Sequence, residues 1–454
     1  MKGILKVQRE YFLTGATQPV RARREALERL RQGIKQHEKE LLEAMKEDLG
    51  KSATEAYMTE IGLALSEIRH VQRHLKTWMR PQRKSCPLTN FPARSKVVCD
   101  PYGVVLIIAP WNYPFLLLIS PLIGALAAGN CCVLKPSELA PATAAAVTRM
   151  MEDTFPREYV TIVNGGVETS QVLLDLDFDY IFYTGNPAVG RIVMEKAARH
   201  LTPVTLELGG KSPVVVTESA HLRMAARRIV FGKFLNAGQT CIAPDYVLCE
   251  RSTYEPFVRM LKEELTAMYG PRPLDNPDYG KIINRRHFDR LCLLIDKAKV
   301  VAGGETQPDR LRISPTILAG VLPTDAVMQE EIFGPLLPII PVNDTEEAFR
   351  FIQSRPHPLA LYLFTTNAAV EKRFMTGLQF GGGCVNDVIS HIVPHNLPFG
   401  GVGQSGIGAY HGRDSFLNFS HRKAIVRRGT WPDIPLRYPP YREWKEKIVR
   451  WWMS

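Results

Sequence analysis

The stretch of chain from Gly103 to Leu134 contains no charged residue, and this constrains the fold more than any other sequence feature. By length alone such a run could cross a membrane. Prolines at 110, 114 and 121 and asparagines at 112 and 130 argue against a membrane span. The run divides into a β-type piece over 103–109, a turn rich in proline, a helix over 115–128 and a second strand over 131–134. This pattern is typical of a buried strand–helix–strand unit in a parallel sheet.

The flanking sequence repeats the alternation of strands and helices. Strand patterns occur at 97–98, 104–108, 131–134, 160–163, 180–183 and 205–206, with helical patterns between them. A second α/β pattern follows Gly210, and helical patterns over 20–49 and 52–79 precede the first one. We therefore predict an α/β fold with a doubly wound, Rossmann-like parallel sheet and a second α/β domain.

Composition narrows the class of protein. With 454 residues, 45% hydrophobic and 23% charged, the chain is long enough for two or three globular domains. Its eight cysteines form no CxxC pair, so neither a disulfide framework nor a metal site is indicated. The sequence shows no signal peptide, and a reducing cytoplasm is the expected location. The net charge of +11 comes without any nucleic-acid-binding motif, so we predict no nucleic-acid partner.

Two residues can together carry out acyl chemistry. Cys241 lies in the small-residue stretch NAGQTCIAP, and Glu207 lies 34 residues upstream in TLELGGKSP. A thiolate can attack a carbonyl, and a carboxylate can then activate the water that releases the acyl group. Taken alone, a cysteine is more often a buried small hydrophobe. The GGKS that follows Glu207 is not a phosphate-binding loop, because Thr205 stands where that loop requires glycine.

Seven short segments occur in an order that is specific although each is weak by itself. They are PWNYPF at 110–115, LKPSE at 134–138, YTGNPAVG at 183–190, the Glu207 and Cys241 segments, QEEIFGP at 329–335 and LPFGG at 397–401. Together they resemble the aldehyde dehydrogenase superfamily over nearly the whole chain. TPVTLE at 202–207 and SGIGAYHG at 405–412 point to its class 3 branch of fatty and aromatic aldehyde dehydrogenases.

The resemblance implies three catalytic residues. Cys241 is the expected nucleophile, and Glu207 the base that activates water. Asn112, with the backbone N–H of Cys241, is expected to donate hydrogen bonds to the oxyanion of the adduct. From the residues alone, Asn112 between two prolines also reads as an ordinary turn residue. His411 has no evident partner, and we assign it no role.

The resemblance also implies a cofactor site. Gly185 and Gly190 lie between a strand and a helix, where the backbone can approach a pyrophosphate. Lys135 and Glu138 follow a buried strand and are expected to hold the adenosine ribose. A carboxylate there accepts from a free 2′-hydroxyl, which favours NAD without excluding NADP.

Three further residues complete the expected cofactor site. The resemblance places Leu208 there, and it assigns Glu331 to the nicotinamide ribose and Phe333 to the nicotinamide ring. Without the resemblance, Phe333 would be read as core packing.

The expected domains follow the same resemblance. Residues 1–82 and 98–209 would bind the cofactor, and 210–413 would carry the thiol. Residues 83–97 and 414–430 would form a small β element for oligomerisation, giving a homodimer.

Residues 431–454 would be a basic, amphipathic tail. In it, Trp444, Ile448, Trp451 and Trp452 fall on one helical face. Such a helix could cap the substrate entrance, dock on the body or on a partner chain, or touch a membrane surface.

The expected activity is NAD(P)-dependent oxidation of an apolar aldehyde to the carboxylic acid, the aldehyde being long-chain aliphatic, aromatic or terpenoid-derived. An acylating enzyme that passes the acyl group to coenzyme A is one alternative, and the presence of Glu207 argues against it. A catalytically inactive binding or structural protein is the other, and it would be expected to have lost Cys241, Asn112 or Glu207.

Overall fold

The structure is a computed structural model that describes residues 1–87 and 90–453. Residues 88–89 of the predicted oligomerisation element and Ser454 of the predicted tail lie outside the described residues. The helices in this part of the chain are α1 (Lys2–Leu13), α2 (Val20–Gln36), α3 (Glu38–Leu49), α4 (Ala53–Ala56), α5 (Gly62–Trp78), α6 (Leu116–Ala128), α7 (Pro141–Thr154), α8 (Val167–Leu174), α9 (Pro187–Ala198), α10 (Leu222–Phe234), α11 (Arg251–Tyr269), α12 (Arg285–Leu293), α13 (Thr345–Gln353), α14 (Ala368–Gly377), α15 (Gly412–Asn418) and α16 (Glu443–Met453).

The strands of the same residues fall into three larger sheets and one short hairpin. They are β1 (Gln82–Lys84), β2 (Ala93–Pro101), β3 (Val104–Ile108), β4 (Cys131–Lys135), β5 (Val160–Ile162), β6 (Tyr180–Thr184), β7 (Val204–Glu207), β8 (Pro213–Val216), β9 (Tyr246–Glu250), β10 (Val300–Ala302), β11 (Thr306–Gln307), β12 (Arg312–Ile313), β13 (Thr316–Leu318), β14 (Leu336–Val342), β15 (Ala360–Phe364), β16 (Gly382–Val385), β17 (Gly406–Ile407) and β18 (Ser420–Arg428).

The first large sheet has the order β17-β7-β6-β3-β4-β5, and β3 to β7 pair in parallel. The uncharged run supplies β3, α6 and β4, and every residue of these three elements is buried. Within the described residues, none of the helices combines the length and apolar character that crossing a membrane would need. The run therefore lacks charge because it forms the middle of a sheet with a helix packed on it.

The second sheet has the order β10-β13-β14-β9-β8-β15-β16, and it is parallel from β13 to β16. The short antiparallel β17 comes late in the chain but pairs with β7 of the first sheet, placing Gly406 opposite Glu207. Two parallel sheets with helices on them confirm the predicted fold class.

The third sheet is antiparallel, with the order β1-β2-β18. β18 pairs with β2 along its whole length, from Ser420 opposite Pro101 to Arg428 opposite Ala93. Most residues of β18 after Ser420 are exposed. This sheet therefore leaves a broad surface uncovered in the single chain.

The helical amino-terminal part differs from the prediction in two places. The run over 20–49 breaks at His37, whose backbone leaves the helical conformation and whose ring contacts Glu40 and Asp153. The run over 52–79 contains a π-helical turn, Tyr57–Ile61, between α4 and α5. Apolar periodicity does not reveal either irregularity, because both leave the buried face of the helices continuous.

Candidate active site

A cavity of about 870 Å³ lies where the carboxyl ends of the first sheet face the loops of the second. Ligands of open parallel sheets bind at this edge. Nine of the ten predicted site residues line the cavity: Asn112, Lys135, Glu138, Gly185, Glu207, Leu208, Cys241, Glu331 and Phe333. The tenth, Gly190, lies one turn into α9 and packs behind Leu208, since a Cβ at Gly190 would meet the Leu208 Cδ2 at 2.7 Å.

Cys241 follows a tight turn with an uncommon backbone. Asn236, Ala237 and Gly238 all have positive φ, at 51°, 52° and 75°. Only glycine adopts this region without steric cost, so the two preceding residues must be held there by their surroundings. A Cβ at Gly238 would lie 2.2 Å from the Gly334 carbonyl oxygen, so the turn also packs too closely for a side chain. The nucleophile candidate thus stands on a strained and closely packed loop.

The surroundings of Cys241 favour the neutral thiol over the thiolate. Burial raises its pKa to about 12, and the carboxyl groups of Glu331 and Glu207 add to the rise. The main-chain N–H groups of Cys241 and Ile242 face the sulfur and act in the opposite direction. A nearby positive charge would lower this pKa and so increase the thiolate fraction.

Asn112 is held beside the Cys241 turn. Its side-chain amide donates to the main-chain carbonyl of Gln239 at 3.0 Å, and only 2% of the residue is exposed. A carboxamide carries two N–H donors, so one bond to Gln239 leaves the second for another acceptor. The Asn112 carboxamide therefore keeps a second N–H donor at the cavity that Cys241 also lines.

Glu207 ends β7, opposite Thr184 of β6 and Gly406 of β17. The residue is 2% exposed, and within the described chain neither carboxylate oxygen has a hydrogen-bond partner. Burial raises its pKa well above the usual value. Burying a carboxyl group without partners costs free energy, which makes such a group a candidate for function. The Glu207 carboxyl group lines the cavity that also contains Cys241.

The turn after β6 places a helix amino terminus at the cavity. Asn186 caps α9, accepting from the Val189 N–H at 3.0 Å, and Pro187 occupies the first turn. The Gly185 N–H donates to the Glu207 carbonyl oxygen at 2.9 Å, which ties this turn to β7. The free N–H groups and positive end of such a helix suit an anionic phosphate.

Lys135 and Glu138 form a pair on another wall of the cavity. The Lys135 Nζ donates to the Pro136 carbonyl oxygen at 2.8 Å and to Glu138 Oε2 at 3.2 Å. Lys135 is 1% exposed, whereas the Glu138 side chain is partly open to solvent. The carboxylate is thus oriented by a buried ammonium group, with acceptor capacity left for a hydroxyl.

Glu331 and Phe333 follow the short 3-10 turn before β14. The Glu331 carboxylate reaches the glycine pair after β7, and a Cβ at Gly209 would lie 2.0 Å from its Oε2. Burial raises the pKa of Glu331 to about 8, with Asp245 adding to the effect. The ring of Phe333 stands edge-on to Trp111, with centroids 5.4 Å apart.

Several cavity residues carried no signal in the sequence. Trp111 contacts the rings of both Phe333 and His287, and Arg286 and Arg290 of α12 also line the cavity. Only the adjacency of Trp111 to Asn112 could have indicated the first of these. His411, to which we assign no role, packs its ring on Phe399.

The residues present fit a nicotinamide dinucleotide. The cavity joins a capped helix terminus, a carboxylate–lysine pair and an unpartnered buried carboxyl group. Within residues 1–87 and 90–453, no group of three or more His, Cys, Asp or Glu side chains could hold a metal ion. The arrangement can hold a phosphate-containing cofactor beside a nucleophile and a base.

The sequence model of the aldehyde dehydrogenase family matches residues 4–425 of this chain. The 4,4'-diaponeurosporen-aldehyde dehydrogenase of Staphylococcus aureus is 46% identical, over 95% of each chain. Aldehyde dehydrogenase family 3 member A2 of Macaca fascicularis is 47% identical, over 95% of this chain and 90% of its own.

Among solved structures, the substrate-bound state of Staphylococcus aureus AldH superposes with a TM-score of 0.98. It is 44% identical, with 100% of this chain and 99% of that chain covered. These similarities confirm the resemblance found in the sequence. The chain belongs to the aldehyde dehydrogenase family, in its class 3 branch, and is an oxidoreductase that oxidises aldehydes with NAD(P).

Proposed function

We propose that this enzyme oxidises apolar aldehydes to carboxylic acids through a thioester on Cys241, with Asn112 as the oxyanion donor and Glu207 as the base. One observation carries the proposal: these three side chains, distant in sequence, line a single cavity. Among the described residues, neither carboxylate oxygen of the buried Glu207 has a hydrogen-bond partner, which a purely structural carboxylate would have.

In the first half of the reaction, the Cys241 thiolate attacks the carbonyl carbon and the carbonyl oxygen becomes an alkoxide. The free N–H of the Asn112 carboxamide and the backbone N–H of Cys241 stabilise that charge. When bound, the oxidised dinucleotide supplies a positive charge near the thiol and accepts the hydride that leaves the former carbonyl carbon. The acyl group then remains on the Cys241 sulfur as a thioester.

In the second half, Glu207 accepts a proton from the water that attacks the thioester carbon. The carbon–sulfur bond breaks, the carboxylic acid leaves, and the thiolate is restored. The raised pKa of Glu207 makes it a stronger base than an exposed carboxylate, provided that it is deprotonated at that moment. The base also argues for hydrolysis over acyl transfer to coenzyme A.

The apolar side chains that line the cavity favour an apolar substrate. Met58, Leu63, Leu116, Leu117 and Phe231 line it on the side of Asn112 and Cys241. A relative 46% identical is named for a diaponeurosporen aldehyde, which is a terpenoid aldehyde. The substrate class is therefore long-chain aliphatic, aromatic or terpenoid-derived.

The cofactor residues are proposed on the same geometry. Gly185 and Gly190 would let the pyrophosphate approach the start of α9, and Leu208 would pack beside it. Lys135 and Glu138 would hold the adenosine ribose, favouring NAD over NADP. Glu331 would bind the nicotinamide ribose, and Phe333 would contact the nicotinamide ring.

We further propose how the chain is divided and assembled. Residues 1–82 and 98–209 bind cofactor, 210–413 carry the thiol, and 83–97 with 414–430 join two chains into a homodimer. The exposed residues of β18 support the homodimer, because a second chain can cover this strand.

We place the enzyme in the cytoplasm, and we propose that its tail at 431–454 contacts a membrane surface. The exposed fractions of Trp444, Trp451 and Trp452 are 50%, 76% and 40%, whereas Lys445 is buried and donates to the Tyr438 carbonyl. An exposed aromatic face with basic neighbours suits a lipid surface or a partner chain.

The test is formation of reduced nicotinamide by the purified protein with NAD or NADP and aldehydes from acetaldehyde to decanal and benzaldehyde. Turnover in the wild type and none in Cys241→Ala is expected. Glu207→Gln should give a hydride burst without turnover, because deacylation needs the base. Turnover only after coenzyme A is added would reject the hydrolytic mechanism, and no hydride formation with any aldehyde would reject the activity.

A further inference from the structure

A buried ion pair joins the amino-terminal helices to the loop that carries Asn112. Lys51 and Glu60 are both fully buried, and the Lys51 Nζ lies 2.5 Å from Glu60 Oε1. The same ammonium group donates to the main-chain carbonyl of Asn112 at 3.3 Å. Two charges taken out of water are costly, so a pair placed here calls for a reason beyond stability.

The local sequence explains how Lys51 enters the interior. α3 ends at Leu49, and the next residue, Gly50, has a φ of 69° that changes the direction of the chain. Ser52 then caps α4 by accepting from the Glu55 N–H. Lys51 lies between Gly50 and Ser52, and its side chain is buried in the interior. Glu60 lies in the π-helical turn 57–61, and Met58 and Thr59 of the same turn line the cavity. π-helical turns are frequent at functional sites.

Each partner of the pair fixes a different part of the Asn112 loop. Glu60 Oε2 accepts from the main-chain N–H groups of Phe115 and Leu116 at 2.9 and 3.1 Å, so it caps the start of α6. Lys51 holds the Asn112 carbonyl, and its Nζ also lies 4.0 Å from the centre of the Tyr113 ring. The loop from 112 to 116 is thereby fixed at both ends.

The same contacts reach the Cys241 turn. Tyr113 shares a hydrogen bond of 2.6 Å with the hydroxyl of Thr240, the residue before Cys241. The Asn112 carbonyl also accepts from Asn236 Nδ2 at 2.8 Å, within the left-handed part of the turn. Lys51 therefore donates to a carbonyl group that also accepts a hydrogen bond from the nucleophile loop.

We propose that Lys51 and Glu60 are positioning residues for the oxyanion site. The pair sets the distance between the Asn112 carboxamide and the Cys241 sulfur, and so controls formation of the thiohemiacetal. This inference rests on the proposed function for the role of Asn112. It predicts that loss of the pair slows attack on the aldehyde and leaves cofactor binding and the entry of apolar chains unchanged.

The variants separate positioning from stability. Lys51→Met keeps an unbranched side chain, one atom shorter, and removes the donors, but it leaves the buried Glu60 carboxylate without its counter-charge. Lys51→Met/Glu60→Gln removes both charges of the pair, so Glu60 is no longer a buried charge without its partner and much of the stability should return. Arg23→Met is the matched control, since Arg23 is a buried cation that donates to the Ala127 carbonyl on the far side of α6.

The first measurement does not depend on turnover. Iodoacetamide should alkylate Cys241 without cofactor at alkaline pH, where the thiolate fraction is larger. Decanal should protect the thiol by forming a thiohemiacetal, whereas decanol can protect it only by occupying the cavity. We expect both Lys51 variants to need about tenfold more decanal than wild type, with protection by decanol unchanged. Arg23→Met should behave as wild type towards both. Urea unfolding is recorded for every protein.

The second measurement is the burst of reduced nicotinamide with NAD and decanal. Its rate should fall about tenfold or more in the single and double Lys51 variants, with the dissociation constant of NAD unchanged. The inference would be overturned if the double variant regained both the stability and the burst rate of wild type. It would also be overturned if the burst slowed in Arg23→Met, or if decanal protected Lys51→Met as well as it protects wild type. Absence of any burst in wild type with normal decanal protection would reject the proposed function. The inference would then be supported if Lys51→Met needs more decanal than wild type, and overturned if it does not.

Discussion

The side-chain amide of Asn112 donates to the main-chain carbonyl of Gln239 at 3.0 Å, two residues before Cys241. Gln239 is itself held from three sides. Its amide donates to the carbonyls of Asn236 and Lys281, and its side-chain oxygen accepts from the Ile283 N–H, each at 3.0 Å. The two loops that carry Asn112 and Cys241 are therefore bonded to each other although they connect to strands of different sheets, and this preorganises the oxyanion site.

Replacing Asn112 by Asp should slow the hydride burst by about a hundredfold or more, because the new carboxylate lacks the N–H donor and repels the developing alkoxide. Stopped-flow absorbance of reduced nicotinamide measures the burst, and cofactor fluorescence measures NAD binding, which should stay as in wild type. A variant with a normal burst and only a raised KM for aldehyde would show that Asn112 binds substrate without stabilising the adduct.

Replacing Glu138 by Gln should shift the cofactor preference towards NADP. The neutral amide still fits beside Lys135 but no longer repels a 2′-phosphate, and it binds the 2′-hydroxyl less strongly than a carboxylate does. We expect the ratio of kcat/KM for NAD to that for NADP to fall by about tenfold, which corresponds to roughly 1.4 kcal/mol. Equal losses with both cofactors would contradict a role at the ribose.

Replacing Gly209 by Ala should raise the KM for the cofactor. The added methyl group would lie 2.0 Å from Glu331 Oε2, so the carboxylate must move away from the cavity wall. Steady-state kinetics with varied NAD should give the same defect for Gly209→Ala as for Glu331→Gln. The two changes should not add in the double variant, because they remove the same contact. Full additivity would mean that Gly209 acts by another route.

Acid should destabilise the enzyme through two buried histidines. Burial lowers the pKa of His391 to about 4 and that of His411 to about 3. Above pH of about 6.5 both are neutral in the folded and the unfolded chain. As the pH falls from there towards 4, only the unfolded chain takes up protons, so stability falls by about 1.4 kcal/mol per pH unit for each histidine.

Urea unfolding between pH 7.5 and 4.5 measures this effect as the difference between wild type and His411→Gln. The difference is needed because Glu67, whose pKa burial raises to about 7, acts in the opposite direction over part of the range. The variant should lose less stability on acidification than wild type. Replacement of the exposed His200 by Gln is the control, and parallel curves for wild type and His411→Gln would disprove the assignment.

Much of the fold could be predicted from the sequence, because the signals for helices and strands are local. The uncharged run predicted β3, α6 and β4 within one residue at most of their bounds, since a strand–helix–strand unit in a parallel sheet must be apolar throughout. The break at His37 and the π-helical turn at 57–61 were not readable, because apolar spacing continues through both. The ordered segments around Asn112, Glu207 and Cys241 indicated the family, whose site they share.

The sequence by itself determined the elements, the family and the identity of the candidate nucleophile, donor and base. Only the tertiary structure decided which charges are buried and what they face. It left both oxygens of Glu207 without a hydrogen-bond partner among the described residues, raised the pKa of Cys241 to about 12 and placed Lys51 against the Asn112 carbonyl. Helix and strand signals depend on neighbours a few residues apart. Desolvation and long-range contacts depend on how separate elements pack, and no local pattern contains that information.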